Sequence, residues 1–376
     1  MNKKKTIKYV ILVIAILIVL IILLTSLGDI KKIANIFKTS VKWYYLLACF
    51  GAVLLYFFFV ESSLFVLIKR KYKDISSFQI YNVAGSGLFF DAITPFSTGG
   101  QPFQAYALKR MNVKLSDSTS ILLVNFLVYQ VVLNVFSAIL LIFYYPRIHD
   151  QVDNIVIFII VGFSINFLIM ALLILIGTTK FMGKAIIKIM DLLCKIKFLN
   201  KYLGKEKENF KQYVNDMQSA FKDMKNHLGV VTLCVIIRSI SLIIYYSIPF
   251  LAFLAIGINL GYDNFIYCIA VTSFSLTIAI WVPTPGSSGG AELAFTTLFV
   301  GLIDNESKDE RQAIALSGML IWRFFTYYLS IIYGFIRYII FEQKMIKIEK
   351  EIEENKKIIL ETEAKRDDNI DDSISI

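Results

Sequence analysis

A chain of 376 residues in which 57% are hydrophobic and only 18% are charged is too apolar for a soluble globular protein, where these fractions are about 45–50% and about 25%. The formal net charge of +10 fits the positive-inside rule of membrane proteins, and the basic segments carry no nucleic-acid recognition motif, so we expect no nucleic-acid partner. Because apolar runs of roughly 20 residues recur along the chain, the sequence predicts an all-α integral membrane protein, a polytopic helical bundle.

The first elements are predicted from lysines that border apolar runs. Residues 9–27 follow four lysines and are too long for the core of a signal peptide, so they predict a retained anchor helix. Residues 29–42 are amphipathic, and the run 43–68 contains Glu61. The basic stretch "KRKYK" at 69–73 predicts a cytoplasmic helix end.

The next segment, 78–108, is apolar but is interrupted by prolines and glycines, and it contains the motif "TPFSTGGQP" from Thr94. Two further spanning helices are predicted over about 120–145 and 154–176. Residues 178–228 then hold eleven lysines against five acidic residues, with apolar residues at helical spacing. This pattern predicts amphipathic helices along the cytoplasmic membrane surface; the alternative is a solvated linker folded on itself.

Apolar character resumes over 230–258, which contains Arg238. The run 265–282 leads into a second motif, "TPGSSGGAE", from Thr284, and the last spanning run, about 313–341, contains Arg323. The charged tail 342–376 is expected to be a helix that frays into disorder. We therefore divide the chain into a membrane domain, 1–341, and a cytoplasmic tail.

The cysteines and histidines are too few and too scattered for a metal site. The cysteines lack C-x-x-C spacing, and three of them lie in or near apolar runs, where a thiol usually acts as a small hydrophobic side chain. The two histidines, His149 and His227, both lie beside predicted loops. We expect no disulfide between the four cysteines, Cys49, Cys194, Cys234 and Cys268. We also expect that neither the cysteines nor the histidines bind a metal or a cofactor.

The two motifs share the frame T-P-x-S-[ST]-G-G and begin 190 positions apart, at Thr94 and Thr284. Proline lacks an amide donor and glycine permits positive φ, so each motif should end one half-helix and start another. If both termini are cytoplasmic, the basic segments all lie on the cytoplasmic side only when 76–108 and 264–303 form broken, re-entrant hairpins of opposite orientation. The sequence thus predicts an inverted repeat, although four lysines between 29 and 42 would then lie outside.

Such motifs predict a substrate site, since hydroxyl groups can cap the following half-helix and its amides can bind an anion such as a lipid phosphate. The alternative is a packing kink made by small residues. The candidate substrate-binding residues lie in and around the first motif (Asp91, Thr94, Ser97, Thr98, Gly99, Gly100, Gln101, Gln104), in the second motif (Thr284, Ser287, Ser288, Gly289, Gly290, Glu292) and on the neighbouring helices (Gln130, Arg238, Arg323).

Charged residues within apolar runs cost at least ~2.5 kcal/mol at the bilayer centre, so each should face the interior with a partner. Arg238 and Arg323 could each bind a phosphate in bidentate fashion. The alternative for Arg323 is a static ion pair with Glu292. The sequence leaves open whether Glu61 and Arg238 line the site.

At these residues the sequence resembles the transmembrane flippase-like family, which includes the membrane part of the lysyl-phosphatidylglycerol synthase/flippase (multiple peptide resistance factor). The resemblance covers roughly residues 5–342 and rests on "ITPFSTGGQPFQAYALKR", "VPTPGSSGGAELAF" and "LIWRFFTYYLSIIYG". The family's proline, paired glycines, glutamate and last-helix arginine fall on Pro285, Gly289, Gly290, Glu292 and Arg323. Gln101 and Gln104 stand where many relatives have a charged residue, which leaves the headgroup's charge open.

The resemblance implies a lipid translocase of the cell membrane, connected with resistance to antimicrobial peptides, that moves lipids with modified headgroups such as lysyl-phosphatidylglycerol. Only 35 residues follow Phe341, too few for a synthase core, so we expect no enzymatic activity of the chain itself. Membrane lipids are the expected partners, with a separate cytosolic lipid-modifying enzyme and a homodimer left open. The rival hypotheses are an integral-membrane transferase acting on lipid or polyprenyl phosphate, and a membrane partner subunit of a lipid synthase.

Overall fold

The computed structural model describes the backbone of residues 30–196, 200, 204, 207–279, 282–303 and 307–374. The predicted anchor helix 9–27 lies outside these residues. Within them the protein is helical, with twelve α-helices and no strand: α1 Ile30–Thr39, α2 Trp43–Lys71, α3 Ser77–Ile93, α4 Gly100–Arg110, α5 Leu115–Thr178, α6 Lys180–Leu193, α7 Lys207–Asn226, α8 Leu228–Ala255, α9 Phe265–Ala279, α10 Gly290–Val300, α11 Lys308–Arg323 and α12 Leu329–Ile374.

Five stretches of these helices are long and apolar enough to cross a membrane, which supports a multi-pass membrane protein: Trp43–Lys71, Leu115–Asp150, Ile155–Thr178, Leu228–Ala255 and Lys308–Glu354. Their outer faces carry large apolar side chains, of which Ile142 and Phe143 are each 75% exposed. Such faces are stable in hydrocarbon rather than in water. The all-helical membrane fold predicted from composition is therefore confirmed.

Helix α5 contains both spans predicted between 120 and 176 and folds back on itself between them. Leu123 and Ile176 belong to one buried cluster. In a straight helix these residues would lie ~80 Å apart, at ~1.5 Å per residue. Likewise Ser137 contacts Ser273 while Gly162 lies against Thr277, only four residues further along α9. The two apolar stretches of α5 therefore run antiparallel.

The core joins α2 to α8 and α3 to α12 through aromatic and small residues. Phe57 of α2 stacks on Tyr333 of α12, with ring centroids 4.5 Å apart. At Gly334 the backbones of α3 and α12 approach so closely that a Cβ would lie 2.6 Å from the amide nitrogen of Phe89. Small residues permit such contacts between membrane helices. This packing brings distant parts of the sequence to the centre of the bundle.

Helices α6 and α7 form a packed pair rather than a linker. Met182 and Ile186 of α6 pack against a cluster that includes Val214 and Met217 of α7. At the other end of α7, Asp223 forms an ion pair with Arg70, in the basic last turn of α2. The lysine-rich segment is thus packed on itself and fixed to the end of α2, and its position along the membrane surface stays a prediction.

The charged tail is helical, as predicted, and its fraying stays a prediction. Helix α12 continues to Ile374, because the tail is rich in residues of high helix propensity such as glutamate and lysine. Arg110, at the end of α4, holds the tail with ion pairs to Glu342 at 2.8 Å and Glu349 at 2.9 Å. All four cysteines are free thiols.

Candidate functional site

The first motif separates α3 from α4 by a tight turn, as the sequence predicts. The amide of Ser97 donates to the Thr94 carbonyl at 3.2 Å, and Phe96 and Ser97 both have positive φ, 54° and 52°. The hydroxyl of Thr98 donates to the carbonyl of Pro95 at 3.0 Å. Proline at the second position fixes the entry into this turn, since its φ suits that position.

The second motif builds the same turn between α9 and α10. Here the amide of Ser287 donates to the Thr284 carbonyl at 3.0 Å, and Gly286 and Ser287 have φ of 59° and 52°. The hydroxyl of Ser288 donates to the Pro285 carbonyl at 2.9 Å. The shared sequence frame therefore specifies a shared local conformation, down to two consecutive residues in the left-handed region.

Each motif joins helices that are too short to span a bilayer alone. Helix α3 has 17 residues, α9 has 15, and α4 and α10 have 11 each. At ~1.5 Å per residue none reaches the ~30 Å of a hydrocarbon core. Within the first pair, Phe90 stacks on Phe103 with centroids 4.2 Å apart, so α3 and α4 run antiparallel. Re-entry from one membrane side and the inverted repeat remain predictions.

The two motif loops contact each other. Pro95 and Pro285 form an antiparallel backbone bridge. Tyr327 lies at the same junction: its hydroxyl donates to the Ala92 carbonyl at 3.0 Å, and its ring fills the space beside Gly286. The sequence reasoning did not select Tyr327. Its position one turn after Arg323, in the π-helical segment Phe324–Tyr328, was the available signal.

Carboxylates occupy the amides that begin the second half-helices. The amide of Gly100 donates to Asp91 at 2.8 Å, and the amide of Gly289 donates to Glu292 at 2.7 Å. The hydroxyl of Thr94 accepts from the amide of Gly99 at 2.8 Å, as expected of a cap. A lipid phosphate at these two amides would have to displace a side-chain carboxylate, because both positions are already satisfied by negative charge.

Arg323 lies beside Glu292, as expected, and its guanidinium contacts several protein groups. Its Nε is 2.8 Å from a carboxylate oxygen of Glu292, and both side chains are 4% exposed. Its Nη2 donates to the carbonyl of Gly286 at 3.1 Å. The guanidinium also lies near the rings of Trp322 and Tyr327. This geometry favours the static ion pair, the alternative that the sequence left open, over a direct phosphate contact.

Glu61 has a partner that the sequence reasoning missed. Its carboxylate accepts from the Tyr333 hydroxyl at 2.6 Å and from Arg337 at 3.2 Å. Arg337 also donates to Asn82 of α3 at 3.1 Å. The polar network ties α2, α3 and α12 together, and Glu61 is only 1% exposed. The stretch "GFIRYII", in which an arginine interrupts an apolar run, could have predicted this partner.

Arg238 differs from the other two interior arginines, because no carboxylate of the described residues lies within ion-pair distance of it. Its side chain is buried, and its Nη2 donates to Asn125 at 3.1 Å. Its Nε has no hydrogen-bond partner. The Arg238 guanidinium also lies over the ring of Tyr129, 5.7 Å from its centroid. A buried cation with an unsatisfied donor suits an anionic ligand.

The remaining candidate residues are dispersed around this centre. Gln130 is buried on α5, and Gln104 donates to the Ala84 carbonyl at 3.3 Å. Ser97, Thr98 and Gln101 are exposed. The structure thus brings together Asp91, the two motif turns, Glu292 and Arg323, while the cavity expected between the hairpins remains a prediction.

The chain is similar to a known protein family. A family model described as "Lysylphosphatidylglycerol synthase TM region" matches residues 10–334 of the chain. No curated protein matches the chain. The matched region includes every predicted site residue, from Asp91 to Arg323.

Proposed function

This chain belongs to the family of the lysylphosphatidylglycerol synthase transmembrane region, and on that premise we propose that it is a lipid translocase. It moves a phospholipid or glycolipid with a modified, phosphate-bearing headgroup, such as lysyl-phosphatidylglycerol, across the cytoplasmic membrane. A separate enzyme supplies the modified lipid, and the transfer contributes to resistance against antimicrobial peptides. The basic end of α2 and the lysine-rich helix α6 would face the cytoplasm under the positive-inside rule.

The observation that carries this proposal is that Arg238 is buried without a carboxylate partner among the described residues. An interior arginine that is neither paired with a carboxylate nor fully hydrogen-bonded is expensive in a membrane protein unless a ligand compensates it. A lipid phosphate supplies that compensation, since guanidinium and phosphate match in charge and geometry.

The position of Asp91 supports a headgroup that carries both a phosphate and an amine. Its carboxylate interacts electrostatically with Arg238 but makes its hydrogen bond with the Gly100 amide. A headgroup that reaches both residues would place its phosphate toward Arg238 and an ammonium group toward Asp91. Tyr129 lies 5.7 Å from the Arg238 guanidinium, and its ring face can contact the ammonium group of a headgroup.

Purified protein in liposomes tests the proposal directly. Lysyl-phosphatidylglycerol placed in one leaflet is quantified in the other with a membrane-impermeant amine reagent. We expect wild-type protein to accelerate transfer and Arg238→Gln to reduce it at least tenfold. The matched control is Arg147→Gln, which removes an equal charge at an exposed site beside Asn264. Transfer by Arg238→Gln at the wild-type rate would contradict the assignment of Arg238.

The same assay separates the proposal from its rivals. A transferase changes the chemical identity of the lipid, which mass spectrometry of the liposomes would detect. A partner subunit of a synthase leaves the lipid unmoved until the synthase is added. Transfer of unchanged lipid by the chain alone is the result expected of a translocase.

A further inference from the structure

Helix α6 presents an unusual outward face. Three of its lysines, Lys180, Lys184 and Lys188, recur every four residues and are exposed. Beside this row lie Phe181, Ile189 and Leu192, which are 78%, 49% and 51% exposed. On a helix of ~3.6 residues per turn the six residues cover about half of the circumference, with the lysines along one edge. We call these six residues the α6 outer face.

The exposed apolar residues of α6 are not needed to hold it in place. Its opposite side packs on α7 through Met182, Ile186 and Ile187. Contact is closest at Gly183, where a Cβ would lie 2.1 Å from the Nε2 atom of Gln218. The helix therefore already has an apolar side packed on α7, and the outer face is additional apolar surface.

The partner helix α7 has no such surface at the corresponding place. Its exposed residues Asn215, Ser219 and Lys222, spaced at one-turn intervals, are polar. The contrast within one packed pair distinguishes two environments: α7 faces water, and α6 faces a medium that accepts apolar side chains next to cations.

The position of α6 identifies that medium. It begins at Lys180, directly after the apolar span that ends at Thr178, so its first turn lies at the membrane boundary. The pair is also fixed to the basic end of α2 through Arg70 and Asp223. We propose that the α6 outer face lies in the membrane interface, with its apolar row among the acyl chains and its lysines on anionic lipid headgroups.

The charges of the face support anionic lipid over the alternatives. The acidic residue on this side, Asp191, pairs with Lys207 at 2.9 Å, and that hydrogen bond holds the pKa of Asp191 below its usual value. No ion pair is formed by Lys180, Lys184 or Lys188 within the described chain. A second copy docked through this face would set lysine rows against each other, which like-charge repulsion disfavours.

The test uses the full chain in liposomes that contain nitroxide-labelled phospholipid. Cys194→Ser removes the partly exposed thiol, and the other three cysteines are buried. A fluorophore is attached at Phe181→Cys, with Ser219→Cys on the exposed side of α7 as the matched control. In vesicles of phosphatidylglycerol and phosphatidylcholine we expect at least threefold stronger quenching at position 181 than at 219.

The lysines are tested by changing all three to glutamine and by using vesicles of phosphatidylcholine alone. Either change should reduce quenching at position 181 at least twofold, while position 219 stays unchanged. Equal quenching at the two positions would overturn the proposal. So would efficient disulfide formation between Phe181→Cys copies without quenching, since it would show that a second copy covers the face. Equal quenching at position 181 in vesicles with and without phosphatidylglycerol would contradict the proposed role of the lysines.

Discussion

Replacing Arg323 with alanine should destabilise the protein by about 3–5 kcal/mol, because the change leaves the Glu292 carboxylate buried without its counter-ion. Both side chains are 4% exposed, so water cannot take over the lost contact. The substitution also removes the hydrogen bond to the Gly286 carbonyl, a loss of roughly 1–3 kcal/mol for a buried acceptor, and we therefore expect a value toward the upper end.

The double variant separates an ion pair from two independent side chains. Glu292→Gln keeps the size of the side chain and an oxygen that can accept from the Gly289 amide. Glu292→Gln also removes the negative charge that Arg323→Ala would leave without a counter-ion. The double variant should therefore be more stable than the sum of the two single changes predicts, by about 3 kcal/mol.

Denaturant unfolding in detergent, followed by tryptophan fluorescence, measures these energies. Trp322 is fully buried and stacks on Phe295 with centroids 4.7 Å apart, so it reports this region. The control is the same cycle at Arg110 and Glu342, whose side chains are 14% and 24% exposed. There the coupling should be at most about 1 kcal/mol. A coupling below about 0.5 kcal/mol between Arg323 and Glu292 would refute the static ion pair. Arg323 would then again be a candidate substrate-binding residue.

Three further changes test the motif turns and the second buried network. Gly286→Ala should cost about 2 kcal/mol or more, since φ is 59° and a Cβ would lie 2.0 Å from the Tyr327 ring; unfolding at wild-type denaturant concentration would contradict this. Phe96→Gly should be neutral or stabilising by up to about 1 kcal/mol, because glycine adopts the left-handed conformation without strain and this gain outweighs its entropy cost on folding. A loss of stability above about 1 kcal/mol would show that the exposed Phe96 ring makes an essential contact. Arg337→Gln should cost about 3 kcal/mol by leaving Glu61 without its counter-ion, and adding Glu61→Gln should restore most of that loss in the same unfolding assay.

Features that depend on neighbouring residues along the chain were predictable from the sequence. The spans follow from the length of apolar runs, and the breaks at 94–99 and 284–289 follow from proline and glycine. The repeated frame also predicted two similar turns, because hydrogen bonds such as Ser97 to Thr94 close within four residues. The helix of the charged tail was predictable in the same way, since its glutamates and lysines have high helix propensity.

The tertiary structure decided which buried charges meet. Glu61 and Arg337 are 276 residues apart, and their contact depends on α2, α3 and α12 packing together. The sequence identified Arg238 and Arg323 as interior cations that could bind a phosphate, named Glu292 as an alternative partner of Arg323, and left open whether Arg238 lines the site. Only the packing gave Arg323 a carboxylate at 2.8 Å and left Arg238 with an amide and an unsatisfied nitrogen.

The sequence by itself determined that this protein is a helical membrane protein with two similar interruptions, because hydrophobicity and backbone preference act locally. Only the tertiary structure decided that the two interruptions touch at Pro95 and Pro285 and that carboxylates occupy their helix starts. The physical reason is that electrostatic compensation acts between side chains close in space. Helical periodicity shows which residues share a face, but the partner across that face is set by how the helices pack.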